Sequence, residues 1–123
     1  MKALVVDDAR AMRMMLSGIL KQVGFTDVAQ AGNGKEGLAH LTANPDTNLA
    51  VVDWNMPEMT GIEMVEAVRQ NAQLNDVCLM MVTTESEMKN IEQALSLGAN
   101  EYAMKPFTKE VIADKLRLLG FNL

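Results

Sequence analysis

An apolar run that stops abruptly at aspartate occurs twice in this chain, at Val5-Val6-Asp7-Asp8 and at Val51-Val52-Asp53-Trp54-Asn55-Met56-Pro57. A run of this kind, without polar alternation, reads as a strand buried on both faces, which is the habit of a parallel sheet covered by helices. Carboxylates at the ends of two such strands can share one pocket. Three that close repel strongly unless a cation sits between them. Further on, Lys105-Pro106-Phe107 can bring a fixed positive charge to the same rim. Together these stretches describe a site for a divalent metal and a phosphoryl group.

The remainder of the chain supports that sheet. Candidate strands are Ala3–Asp7, Asp27–Gln30, Leu49–Asp53, Val77–Thr83 and Glu101–Met104, with helical patterns between them. Met12, Met15, Leu16, Ile19, Leu20 and Val23 keep one helical stripe, and Gly24 follows as a stop. Asn33 with Glu36, Thr60 with Glu63, and Thr84 with Glu87 have capping-box spacing at three later helix starts. Gly98 sits where the fourth helix should end, and a last helix runs from about Thr108 to Leu119. Five strand–helix repeats imply an α/β fold, a doubly wound (βα)5 unit around a five-stranded parallel sheet. In such a sheet the ligand site lies at the carboxyl ends of the strands where their order reverses. With the order 2-1-3-4-5 the reversal falls between the strands that end in Asp7-Asp8 and Asp53.

Length and composition bound the answer. At 123 residues there is room for one domain spanning 1–123, and a chain of this size buries roughly two-thirds of its unfolded surface. A hydrophobic fraction of 49% argues for a packed core and against disorder. The net charge of -5 disfavours nucleic acid or an anionic membrane as a partner. No apolar run approaches the ~20 residues needed to span a bilayer. Acidic residues arrive at position 7, too early for a signal peptide, so the expected location is the cytoplasm. Cys78 is the only cysteine, which excludes an intramolecular disulfide, and its apolar surroundings fit a small core residue better than a nucleophile.

The chain resembles a response-regulator receiver domain over essentially its whole length, most of all the single-domain chemotaxis regulators of the CheY type. Asp7-Asp8, the Asp-Trp-Asn-Met-Pro run at 53–57, Thr83 and Lys105-Pro106 match the family pattern in order and spacing. The resemblance implies a flavodoxin-like sheet. It further implies that Asp53 is the phosphoacceptor and forms an acyl phosphate. Asp8 and Asp53, with Asp7 directly or through water and the Asn55 backbone carbonyl, would hold Mg²⁺, with Mn²⁺ as the alternative. Lys105 and Thr83 would contact the phosphoryl oxygens, and the family's Lys–Pro bond is cis. Asn55, Glu85 and Thr84 would modulate the pocket, and Thr84 departs from the type, where a smaller residue is common. The phosphoryl donor would be a phosphohistidine on a sensor histidine kinase. His40, on the second helix, is read as a solvated surface residue and not as that histidine.

Each residue taken singly also has a plainer reading. Asp7-Asp8 can cap a helix, Thr83 can start one, and Lys105 can be a solvated surface charge. Asp53 ends a buried strand and has no local cap to serve. Only the joint register overturns these readings. A second motif competes: Gly32-Asn33-Gly34-Lys35-Glu36-Gly37 satisfies the dinucleotide-binding pattern and follows a strand. It follows the second strand, however, which leaves Asp7-Asp8 unexplained, and in a 2-1-3 order strands two and three are not neighbours. A tight turn and a helix start account for those glycines. Among the methionines, Met12, Met15, Met80 and Met81 fall on expected core faces. Met56, Met59 and Met88 fall near the site and are candidates for a partner surface.

A receiver is a two-state switch whose balance phosphorylation shifts. In the family, Thr83 and the aromatic at the Tyr102 position move together and remodel the face formed by the fourth helix, fifth strand and fifth helix. The chain reaches only Leu123, four residues past Leu119, which favours a stand-alone monomer acting by binding, with the flagellar motor switch as the leading partner and a phosphatase as a further one. A phosphorelay shuttle to a histidine phosphotransfer protein, and the receiver of a longer effector regulator, are the rivals. No turnover of an external substrate is expected, since no candidate base for it stands out.

Overall fold

Five short strands, each followed by a helix, account for the chain. The computed structural model describes residues 1–54, 56, 58–84 and 90–123. In chain order the elements are β1 (Lys2–Val6), α1 (Arg10–Val23), β2 (Asp27–Ala31), α2 (Gly34–Ala43), β3 (Leu49–Asp53), α3 (Gly61–Arg69), a 3₁₀ turn (Ala72–Leu74), β4 (Cys78–Thr83), α4 (Ile91–Leu97), β5 (Glu101–Met104) and α5 (Lys109–Leu118). All strand pairs are parallel, in the order β2-β1-β3-β4-β5. The expected fold class and strand order therefore hold, with strand ends within one residue of the sequence reading.

Burial explains why these segments are strands. Leu4, Val5, Val6 and the whole Leu49–Val52 run are sealed from solvent, so these side chains of the two central strands meet a helix layer on either face. On one face, Leu4, Val6, Ala50, Val52 and Met81 pack with Leu41, Met64, Val65 and Val68 of α2 and α3. On the other, Val5, Val51, Met80 and Val82 pack with Leu16 and Leu20 of α1 and Ile112 and Leu116 of α5. Burying a side chain of this size contributes about 1.5–3 kcal/mol.

The helix boundaries follow their local chemistry. Thr60 and Glu63 form a full capping box at α3. At α2 only half of the expected box forms. Asn33 accepts from Glu36 N, but the Glu36 carboxylate accepts from Gly32 N at 3.0 Å and leaves the Asn33 amide alone. Glu87, the partner expected for Thr84, lies outside the described residues. Gly24 and Gly98 end α1 and α4 with positive φ, where glycine is the least strained residue.

Two methionine expectations are corrected. Met15 is 49% exposed, because the core-facing stripe of α1 runs through Leu16 and Leu20 and turns Met15 onto its flank. Met56 is buried within the α2–α3 core and is not a surface residue. Met12 is half-buried, whereas Met80 and Met81 fill the core as expected. Cys78 is also only partly buried, though desolvation raises its thiol pKa and disfavours the thiolate. His40 lies on α2 and is partly exposed. Arg69, which drew no attention in the sequence, ties the end of the molecule remote from Asp53. It donates to the carbonyls of Gly98 (2.9 Å) and Val77 (2.7 Å) and to Asn100 Oδ1 (2.8 Å).

Two glycines should respond in opposite directions to alanine. A Cβ on Gly61 would lie 2.6 Å from the Asp53 carbonyl oxygen and 3.2 Å from Trp54 Cα, so backbone must move. Gly18 sits on the exposed side of α1 with nothing within 4 Å. Gly61→Ala should lose about 1–3 kcal/mol, and Gly18→Ala should gain about 0.5–1 kcal/mol. Urea midpoints of the two variants against the parent protein check both signs.

Candidate functional site

The register of the two central strands builds the site. Val6 pairs with Val52 across the β1–β3 ladder, so Asp7 and Asp53, each the next residue, leave the sheet at the same level. Asp53 itself closes β3 and pairs with Val82 of β4. Asp7, Asp8 and Asp53 each offer a carboxylate oxygen, and these oxygens lie within 4.8 Å of one another. Asp7 and Asp53 are buried, at 2% and 6% exposure, while Asp8 faces solvent.

Lys105 approaches from the end of β5. Its Nζ lies 2.9 Å from Asp53 Oδ1. The Lys105–Pro106 peptide is cis. The Lys105 backbone N–H donates to the Thr83 carbonyl at 2.7 Å, which fixes the strand ends to each other. Thr83 is fully buried at the end of β4, and its hydroxyl donates to the Thr84 carbonyl at 3.2 Å. Thr84 and Tyr102 are partly exposed. Asn55 and Glu85 lie outside the described residues.

The first turn of the site is secured locally. Asp7 Oδ1 accepts from the Ala9 backbone N–H at 2.8 Å, and the Asp7 carbonyl accepts from Arg13 Nη1 at 2.7 Å. Asp7 Oδ2 is buried and has no hydrogen-bond partner among the described residues. Beyond Asp53 the chain folds back on itself. Trp54 donates to the Val82 carbonyl and accepts from Gly61 N–H, and Glu58 takes a left-handed φ of 68°.

Electrostatics puts the two buried carboxylates under load. Burial raises the pKa of Asp53, the Lys105 hydrogen bond opposes this, and Asp7 and Asp8 reinforce it. Burial likewise raises Asp7, against the Ala9 hydrogen bond and the Lys105 charge. In both cases desolvation outweighs the lysine. A carboxyl raised in the fold binds its proton more tightly there than in the unfolded chain. Stability therefore falls as pH rises through the folded values and stays lowered above them. A hard divalent cation removes that penalty and takes the oxygen ligands on offer. The orphaned Asp7 Oδ2 fits such an ion.

Four of the predicted residues, Asp7, Asp8, Asp53 and Lys105, are thus brought together, with Thr83 beside them. Sequence reasoning overlooked Arg13 and Gly61. Arg13 left only the weak signal of a base one turn into the first helix. Gly61 could have been found from its place just after the capping threonine, where α3 crosses the end of β3. The competing glycine motif serves packing. A Cβ on Gly37 would lie 2.9 Å from both Val6 Cγ2 and Met64 Cε, and β2 is not a neighbour of β3.

Comparison with known proteins gives a consistent result. The family model described as the response regulator receiver domain matches residues 3–117. Chemotaxis protein CheY1 of Helicobacter pylori is 42% identical over 123 residues, covering 99% of each chain. Chemotaxis protein CheY of Pseudomonas aeruginosa is 40% identical over 94% of this chain and 93% of its own. The solved structure of chemotaxis response regulator CheY4 of Vibrio cholerae superposes with a TM-score of 0.87 at 34% identity, over 96% of this chain and 97% of that one. With the acidic cluster, the lysine and the 2-1-3-4-5 sheet in place, the chain belongs to the response-regulator receiver family.

Proposed function

We propose that this protein is a phosphorylation-switched regulator that accepts a phosphoryl group on Asp53 from a histidine kinase and signals by binding a partner. One observation carries the reading: the buried Asp53 carboxylate faces Lys105 Nζ at 2.9 Å beside two further carboxylates. In the transfer, an Asp53 carboxylate oxygen attacks the phosphorus of a phosphohistidine. The new O–P bond forms as the N–P bond breaks, and the imidazole leaves with the electron pair. The protein's task in such a transfer is positioning and charge neutralisation. Asp7, Asp8 and Asp53, with the Asn55 carbonyl, would hold Mg²⁺, or Mn²⁺ in its place, which would neutralise charge on the phosphoryl oxygens. Lys105 would then turn from Asp53 Oδ1 to a phosphoryl oxygen. The Thr83 hydroxyl would leave the Thr84 carbonyl for another. Glu85 and Thr84 would tune access, and hydrolysis would reset the switch, with or without a phosphatase.

The output face would be α4, β5 and α5. Leu95, Met104 and Val111, at 38–40% exposure, lie one on each of these elements and would suit an apolar partner segment. With relatives named as chemotaxis proteins, the flagellar motor switch would be that partner, and this protein would act as a cytoplasmic monomer. Among the described residues no helix is long and apolar enough to cross a membrane.

Mg²⁺ should stabilise the folded protein. At ten times Kd the gain is about 1.4 kcal/mol, and Trp54, the only tryptophan and the neighbour of Asp53, should report it. A melting temperature and fluorescence that both ignore millimolar Mg²⁺ would remove the metal site.

Acetyl phosphate with Mg²⁺ should add one phosphoryl group, and Asp53→Asn should abolish it, because an amide is a poor nucleophile. Intact mass decides. Full labelling of the Asn variant would assign another acceptor.

Lys105→Ala should still accept phosphate yet fail to shift the distal face. Thr83→Ala should weaken the shift less, since a neutral hydrogen bond contributes about 0.5–1.5 kcal/mol and a charged one about 1.5–3. Amide chemical shifts over residues 90–119, with and without beryllofluoride, read both. A full wild-type response in Lys105→Ala would contradict the mechanism.

A further inference from the structure

Tyr102 is not left loose on the edge of the sheet. β5 is an edge strand, and its residues alternate between the two helix layers. Ala103 packs toward α1 and α5, whereas Tyr102 packs toward the opposite core. Lys115 belongs to α5, yet its side chain reaches around the edge of the sheet. Its Nζ sits 4.3 Å from the centroid of the Tyr102 ring and 3.3 Å from Glu101 Oε1. The same Glu101 oxygen accepts from the Tyr102 backbone N–H at 2.9 Å. One carboxylate therefore holds both the backbone of Tyr102 and the cation above its ring. The side chains of Lys115 and Glu101 are only 26% and 19% exposed, so the contact is partly shielded from solvent screening.

We propose that Lys115, oriented by Glu101, is a positioning residue that holds the Tyr102 ring in this orientation and thereby sets the resting balance of the switch. The inference rests on the functional reading above, in which Tyr102 moves when Asp53 is phosphorylated. A cation over a ring face is attracted by the ring quadrupole, and the attraction is lost once the ring swings away. Lys115 is thus an interaction made in one state and broken in the other, which is what shifts a population. It lies on the proposed output face without touching the phosphoacceptor. Its removal should change how readily the switch turns and leave the chemistry at Asp53 alone.

The sequence supplies the probe, because Tyr102 is the only tyrosine. Fluorine-labelled tyrosine gives a single site whose minor-state population is read by relaxation dispersion in the unphosphorylated protein. Lys115→Met keeps the aliphatic stem and removes the charge. It should raise the minor population about two- to fivefold, the size expected for one partly exposed cation–ring contact, and lower the beryllofluoride midpoint by the same factor. Lys115→Arg should restore both, because a guanidinium stacks on the ring equally well. Glu101→Gln should give a smaller change in the same direction. The rate of phosphorylation by acetyl phosphate should match wild type in all three. A purely structural role would lower the urea midpoint of Lys115→Met and leave the Tyr102 population unchanged, and that result overturns the proposal. If wild type ignores beryllofluoride, the functional reading fails, while the Tyr102 populations of the free proteins still decide whether Lys115 positions the ring.

Discussion

Like charges forced together at the carboxyl end of a buried sheet are the constraint on which the rest of this molecule depends. Asp7 and Asp53 cannot relax apart, because the ladder that pairs Val6 with Val52 fixes the level at which each leaves its strand. Nor can they reach water, since both are almost fully buried. Unbroken apolar runs on both faces of β1 and β3 supply the free energy that holds them there. Each fully buried valine or leucine contributes about 1.5–3 kcal/mol. Hydrophobic burial in the body of the sheet thus maintains an electrostatic load at its end. A divalent cation placed among the three carboxylates would relieve that load.

Among the described residues Lys105 is the basic partner of Asp53, and its backbone joins it to the end of β4. Its amide donates to the Thr83 carbonyl, and Thr83 closes the strand next to Asp53. In the proposed mechanism a change in charge or size at Asp53 would redirect Lys105, and the pull would reach the ends of β4 and β5 together. The opposite end of β4 is held differently. Arg69 binds the Val77 and Gly98 carbonyls and Asn100 there, so that end resists displacement. In the proposed switch such an arrangement would confine movement to the end of the sheet that carries the aspartates.

The sheet was legible because its physics is local. Unbroken apolar runs, a helical stripe from Met12 to Val23 and caps at Asn33 and Thr60 each state their own structure. Asp7, Asp8, Asp53 and Lys105 were legible because strand ends in a parallel sheet of this order must converge. What escaped depends on side-chain direction. Met15 keeps helical spacing with the core residues, but a rotation of one position carries it to the surface. The Glu36 carboxylate chose the Gly32 amide over that of Asn33, a choice between two nearby donors that spacing does not distinguish. Lys115 gave no signal at all, since its ring contact passes around a sheet edge whose geometry no linear pattern encodes.

Magnitudes also bear on why a peripheral lysine should matter to a switch. Turning a two-state protein almost completely, from 1:99 to 99:1, takes about 5.5 kcal/mol of differential interaction. In the proposed mechanism the phosphoryl group offers a charged contact with Lys105 and a hydroxyl contact with Thr83, together about 2–4.5 kcal/mol. That is short of a complete reversal. A receiver driven by these two contacts must therefore begin from a less lopsided balance, with its second state already present as a minor population. Near such a balance, a contact worth about 0.5–1 kcal/mol at an exposed ring is a sizeable share of the driving force. The Glu101–Tyr102–Lys115 cluster has that size and lies on the strand that would move. Placed there, it would set how far the resting protein stands from its active form without touching Asp53, the proposed phosphoacceptor.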